Sequence, residues 1–175
     1  MAQTPPLESY NSPQSTSPSP VGPPSPDLGY KPDTVKRFLA KFLDALVALV
    51  LFWLVVAIIP GWTLASLLGA IVAGAYWLVC DGLELEFMRH RSLGKRLLGL
   101  GVVRKDGGTM DIEASVRRNW MFAIGWFSQP LGLGLGMLVS LLALGLFVYE
   151  VYKVLTEDDG HRWGDELAGT RVIEV

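Results

Sequence analysis

Residues 38–59 read FLAKFLDALVALVLFWLVVAII, an apolar run interrupted only by Lys41 and Asp44. The 22 residues would rise about 33 Å as a helix, enough to cross the hydrocarbon core of a bilayer. Pro60-Gly61 then stops the run with a turn. A carboxylate inside such a span costs roughly 2.5–3.5 kcal/mol unless it meets a partner or a wet cavity. The stretch therefore predicts a membrane-spanning helix and, with it, a polar constellation near one membrane face that compensates Asp44.

Composition agrees with this reading. Half of the 175 residues are hydrophobic, 18% are charged and the mean hydropathy is +0.35, which exceeds what a soluble domain of this length carries. Cys80 is the single cysteine, so an intrachain disulfide is excluded, and it reads as a small packing residue. Residues 1–33 form a separate unit that holds nine of the eleven prolines among Ser, Thr, Gln and Gly. Such a segment lacks the apolar mass to offset the entropy of ordering, so it is expected to be a disordered tail of polyproline character. Without a basic start followed by an apolar core it is not a signal peptide, and insertion is expected to begin at Phe38. The membrane domain then covers residues 34–175.

A second span is expected from Thr63 through Cys80, antiparallel to the first, with an exposed helical turn beyond it through Asp81, Glu84 and Met88. Ser66, Gly69, Ala70, Ala73 and Gly74 recur at three- and four-residue spacing, which allows close helix approach. Trp62, Tyr76 and Trp77 read as interface or packing aromatics. The third apolar region, Asn119–Tyr152, admits two readings: a hairpin of two spans broken at Gln129-Pro130, or an interfacial helix followed by one span from Leu133. The glycines at 132, 134 and 136 favour the hairpin. Eight Lys or Arg lie between Asp81 and Arg118, four more lie at or before the start of the first span, and the turn at Pro60 has none, which predicts a cytoplasmic amino terminus.

Between the apolar blocks, Leu98–Val103 reads as a strand, Asp106-Gly107 as a tight turn and Thr109–Ile112 as a returning strand. A last strand at Gly169–Val175 adds to this hairpin if both chain ends share one side of the membrane. The fold class is thus an all-α membrane bundle of three to four transmembrane helices with a short cytoplasmic β-hairpin and a disordered tail. Chemical motifs stop short. Gly94-Lys95 has Arg89 in place of the earlier glycine of a phosphate loop and Arg96 in place of its Ser or Thr. His90 and His161 have no second ligand at metal spacing, and Asp158 and Asp159 read as a solvated turn. No nucleophile with a nearby base is visible, so neither an enzyme nor a cofactor is expected. The cluster Arg89, His90, Arg91, Lys95 and Arg96 reads as facing anionic lipid head groups rather than nucleic acid.

Three spaced elements remain. Arg37 precedes Asp44 by seven residues; Ser92-Leu93-Gly94-Lys95-Arg96-Leu97-Leu98-Gly99-Leu100 follows; Arg162-Trp163-Gly164-Asp165-Glu166-Leu167-Ala168-Gly169-Thr170-Arg171-Val172 closes the chain. This set resembles the RDD family of bacterial membrane proteins, named for an arginine and two aspartates in that order. The resemblance spans about residues 34–175 and implies that Arg37, Asp44 and Asp165 are those residues, with Gly94 and Lys95 in a loop that usually opens Thr-Pro and here opens Ser92-Leu93. It implies a multi-pass protein of the bacterial inner membrane and transport of an unidentified ligand.

Arg37 and Asp44 lie within about 20° of each other around the helix but about 10.5 Å apart along it, so they share a face without an assured direct pair. Lys41, Arg37, water or a basic residue from another segment are the expected partners of Asp44, either as a structural ion pair or as a proton or cation site. Two function classes follow: a small transporter or ion-coupled carrier, oligomeric because so few helices enclose little pathway, or a membrane adaptor whose Arg37, Lys95 and Asp165 network supports a partner protein. Asp165 is expected to dock the tail onto the basic cluster near Arg37, Lys95 and Arg96.

Overall fold

The computed structural model describes residues 33–88, 90–157 and 160–175. The disorder expected for the tail falls, apart from Asp33, outside the described residues, as do Arg89, Asp158 and Asp159. Asp33 caps the first helix, α1 (Thr34–Ile58), by accepting from the Val35 N–H at 3.0 Å. The helix ends at Pro60-Gly61, where Gly61 takes a φ of 88° that suits the missing side chain. The chain returns as α2 (Trp62–Val79). Ser66, Gly69, Ala70, Ala73 and Gly74 are all buried, as their spacing predicts, and so is Ala65. A Cβ on Gly69 would stand 2.8 Å from the Phe52 ring, so the α1–α2 contact depends on that glycine.

α2 ends at Val79, without the helical turn expected beyond Cys80. Residues 81–88 are not an exposed helical turn: Asp81 is fully buried and Met88 is 4% exposed, while Glu84 faces out. The reason is the polar network that captures Asp81, described below. After α3 (Leu93–Leu97) comes strand β1 (Leu100–Arg104). Its partner is not the expected return through Thr109–Ile112. Asp111 accepts from the Ala114 N–H at 2.7 Å and so starts a helix, α4 (Ile112–Ile124), where a returning strand was expected. The tail strand β2 (Thr170–Glu174) takes the place of that return, antiparallel to β1, with Val102 opposite Val172.

The third apolar region turns at Gln129-Pro130-Leu131, where the hairpin reading puts its break. α4 continues as one 3-10 turn (Gly125–Ser128), and α5 (Gly132–Thr156) runs back. Gly136 meets the Ser128 carbonyl at the turn, Gly125 faces Ala143, and Phe122 packs edge-on to Phe147, so α4 and α5 are antiparallel. The first arm differs from a full span. α4 has 13 residues and carries Arg117 and Arg118, and among the described residues three helices, α1, α2 and α5, are long and apolar enough to cross a membrane. α4 and its 3-10 turn enter beside α2 and reach Phe52 through Trp126 before the chain reverses.

The first turns of α1, the α2–α4 connection and the tail therefore meet at one end. Ala40 packs with Leu100 and Val172, Glu174 pairs with Lys36 at 3.1 Å, and the Asp33 N–H donates to the same carboxylate. The last helix, α6 (Trp163–Leu167), packs on α4 there. Single cysteines introduced as Asp106→Cys and Val175→Cys should react with an impermeant maleimide from the same side of the membrane, and Thr63→Cys from the other. The buried native Cys80 should leave the background low.

Candidate functional site

Burial on α1 follows Ala40, Asp44, Ala48 and Phe52, a four-residue stripe that turns Asp44 into the bundle. Asp44 has no exposed surface. Its carboxylate accepts from Ser92 Oγ at 2.6 Å, from the Gly94 N–H at 2.8 Å and from Tyr76 Oη at 3.0 Å. The close approach needs a glycine, because a Cβ at 94 would run into the Ala40 carbonyl. No ion pair among the described residues includes Asp44, so the expected pairing with Lys41 or Arg37 is replaced by three neutral donors. Tyr76, read from the sequence as a packing aromatic, supplies one of them.

Ser92 carries the network onward: its N–H donates to Asp81 at 3.2 Å while its hydroxyl holds Asp44. Asp81 also receives both oxygens' worth of contact from Lys95 Nζ, a hydrogen bond from Asn119 Nδ2 at 3.1 Å and the Arg118 guanidinium at 3.5 Å. Lys95 thus leaves the surface cluster assigned to it and is 3% exposed, whereas Arg96 stays outside. Arg118 reaches from Asp81 to Asp165, 3.1 Å from its Nη2. Asp165 is shared further by Arg37 at 3.2 Å and Arg162 at 3.2 Å. Arg37 also donates to the Gly160 carbonyl, which fixes the chain entering α6. The tail docks through Asp165 as expected, but on Arg37, Arg118 and Arg162 rather than on Lys95 or Arg96.

Burial alone would raise the carboxyls of Asp81 and Asp165. The cations around them outweigh it: Lys95 and Arg118 for Asp81, and Arg118, Arg162 and Arg37 for Asp165 hold both below the ordinary carboxylate range. Glu150 on α5 accepts from the Gly164 N–H at 3.0 Å and lies 3.8 Å from Arg162. Lys41 differs from the other cations. Its ammonium has no carboxylate partner among the described residues; it donates to Asn119 Oδ1 at 3.3 Å and sits 4.5 Å from the Trp77 ring centre and 4.6 Å from that of Phe122.

The predicted residues therefore fall into two linked groups, Asp44 with Gly94 and Arg37 with Asp165, joined through Ser92, Asp81 and Arg118. Asp81, Arg118, Asn119, Glu150 and Arg162 escaped the sequence reading. Asp81, Arg118, Asn119 and Glu150 carried the signal that exposed Asp44, a charge or amide within or beside an apolar block, whereas Arg162 lies well beyond one. Among the described residues no group of His, Cys, Asp and Glu is arranged to hold a metal ion.

The RDD family, by its sequence profile, matches residues 31–169. The chain belongs to the RDD family. No curated protein and no solved structure matches it. In this RDD protein Arg37 and Asp165 form an ion pair, and Asp44 holds the Gly94-Lys95 loop.

Removing the Asp165 carboxylate leaves three guanidinium groups facing one another without their common anion, a change that costs about 3–5 kcal/mol when the site is dry. Asp165→Ala should lower the melting temperature in detergent sharply, and Glu86→Ala, on the surface, should leave it unchanged. Because Asp81 and Asp165 titrate lower in the folded protein than in the unfolded chain, their contribution is complete above the ordinary carboxylate range and is lost as pH falls. Thermal stability should be level from neutrality to about pH 5 and decline below about pH 4, where the unfolded chain takes up protons first.

Proposed function

We propose that this RDD protein is a small membrane carrier for an anionic ligand, whose binding chamber is the cavity between α1, α4 and α5 at the polar end. The cavity measures about 60 Å³, and Arg37, Lys41, Lys95, Arg118 and Arg162 line it against the single carboxylate of Glu150. Asp165 and Asp81 pair with Arg37, Lys95, Arg118 and Arg162 behind that wall, so the cation left to attract an anion in this low-dielectric setting is Lys41. Asp44 does not line the chamber, so it acts by holding α3 in place and not as the cycling ion site.

One observation carries the carrier reading. Phe122 lines the basic cavity and also a second cavity of about 370 Å³ toward the Trp62 end, walled by Leu49, Trp53, Trp126 and Gln129. Phe122 is the one lining residue that the two cavities share. Lys41 and Arg162 both stand over the Phe122 ring, which couples the ring's position to occupancy of the basic side. We place the polar end in the cytoplasm, on the strength of the Lys and Arg gathered there and their absence at Pro60-Gly61.

Proteoliposomes test this by uptake of chloride, acetate and inorganic phosphate, and by translocation of fluorescent phosphatidylglycerol between leaflets. At least one should move faster than in protein-free vesicles, and Phe122→Ala should change that rate by roughly tenfold, equivalent to about 1.4 kcal/mol in the barrier. Leu133→Ala, at 95% exposure, should not. Absence of movement for every probe with folded protein would overturn the carrier and favour the adaptor, in which the same network supports a partner protein.

A further inference from the structure

Lys41 and Arg162 come from elements far apart in sequence and yet aim at the same place. Lys41 Nζ and Arg162 Nη2 both donate to Asn119 Oδ1, at 3.3 and 3.4 Å, so the two cations are no farther apart than those bonds laid end to end. Both also stand over the Phe122 ring. Two like charges held together by one amide oxygen and one ring repel, and no carboxylate among the described residues pairs directly with Lys41. Arg162 is 5% exposed, yet its Nη1 has no hydrogen-bond partner, although a buried guanidinium nitrogen is normally satisfied. Both side chains line the basic cavity. An oxyanion seated there would neutralise the pair.

The walls identify the source of that oxyanion. α1 and α5 both border the cavity but scarcely touch each other, which leaves the chamber open toward the bilayer. Phe38 on α1 and Phe147 on α5 line it while remaining 37% and 47% exposed on the lipid-facing surface. Phe147, Val151 and Val154 follow one another at four- and three-residue spacing, an apolar stripe that leads from the bilayer interior to the cations. Arg37 and Lys41 lie within the first two turns of α1, at the depth of lipid phosphates, and basic pockets between membrane helices at this level suit anionic head groups. A volume of about 60 Å³ admits one compact oxyanion, so the rest of the molecule that carries it lies outside, along the apolar mouth.

We infer that the cavity binds the phosphate of an anionic phospholipid, which enters sideways between α1 and α5 and is held by Lys41 and Arg162 while an acyl chain lies along Phe147, Val151 and Val154. The inference rests on the reading of this chamber as an anion site and names the anion's class; it does not require that the lipid be moved.

The test is thermal stability of the full chain in a neutral detergent, titrated separately with dioctanoyl phosphatidylglycerol, dioctanoyl phosphatidylcholine and inorganic phosphate. Phosphatidylglycerol should give a saturable rise in melting temperature. The zwitterionic lipid, which brings a cation to a cationic chamber, should bind far more weakly, as should free phosphate without its chain. Lys41→Met keeps the apolar stack on Trp77 and Phe122 and removes the uncompensated charge. It should therefore fold, and should weaken phosphatidylglycerol binding by roughly tenfold to a hundredfold. Arg96→Gln, on the surface of the same end, should bind as the native chain does. Val154→Trp, which fills the apolar mouth without touching a charge, should also weaken binding and serves if Lys41→Met fails to fold. Equal stabilisation by the two lipids, or native affinity in both cavity variants, would overturn the proposal. Inorganic phosphate binding as tightly as phosphatidylglycerol would overturn its lipid source. Lipid binding without any transport in proteoliposomes would remove the carrier and leave this site standing, whereas anion transport without lipid binding would do the reverse.

Discussion

A carboxylate shared among Arg37, Arg118 and Arg162 holds the polar end of this protein together. Asp165 stands on a helix of five residues that would not persist alone, since a single turn barely repays its nucleation. Three guanidinium groups from α1, α4 and the tail converge on it, so the ion cluster folds the tail onto the membrane domain and brings β2 beside β1. The arginines in turn need the carboxylate, because a buried cation without an anion costs more than the helix contacts around it return. Each element at this end is thus ordered by charges that the other elements carry.

Arg118 and Asn119 show how the local helix serves that constraint. Adjacent on α4, they point into neighbouring parts of the network: Arg118 spans Asp81 and Asp165, and Asn119 gives its amide to Asp81 and its oxygen to Lys41 and Arg162. A helix that crossed the bilayer as an apolar rod could not present this pair at mid-length. α4 accordingly stays amphipathic and enters beside α2, and α5, whose outward side chains are almost all apolar, runs back to the polar end. The same arrangement leaves α1 and α5 apart, and the cavity is the space between them.

The order of the network explains why Asp44 is fully buried without a cation of its own. Ser92 and the Gly94 N–H reach it only because Asp81 and Lys95 hold the α3 segment down from the other side. Asp44 and Asp81 are two ends of one clamp on the Gly-Lys loop. Lys41, one turn before Asp44, is left to the amide of Asn119 and two aromatic faces, which is the imbalance that gives the chamber its character.

Several features were legible in the residues themselves. Three apolar helices, the turn at Pro60-Gly61, the close-packed stripe from Ser66 to Gly74 and the anomaly at Asp44 all follow from local hydrophobicity and side-chain size, which act over a few turns of chain. The Arg37, Asp44 and Asp165 set could be named from its motifs. Its pairing could not. Asp81 looked like the start of a wet loop because nothing within its own segment says that Lys95 and Asn119 will enclose it, and Thr109–Ile112 looked like a strand because the competitor, Thr170–Glu174, lies at the far end of the chain. From residue order alone it follows that Asp44 must be compensated within its apolar run; which groups meet it, and that Asp81 and Asp165 are buried as well, emerges on folding, because electrostatic energy in a dry interior depends on distances of a few ångströms between residues that the chain keeps far apart.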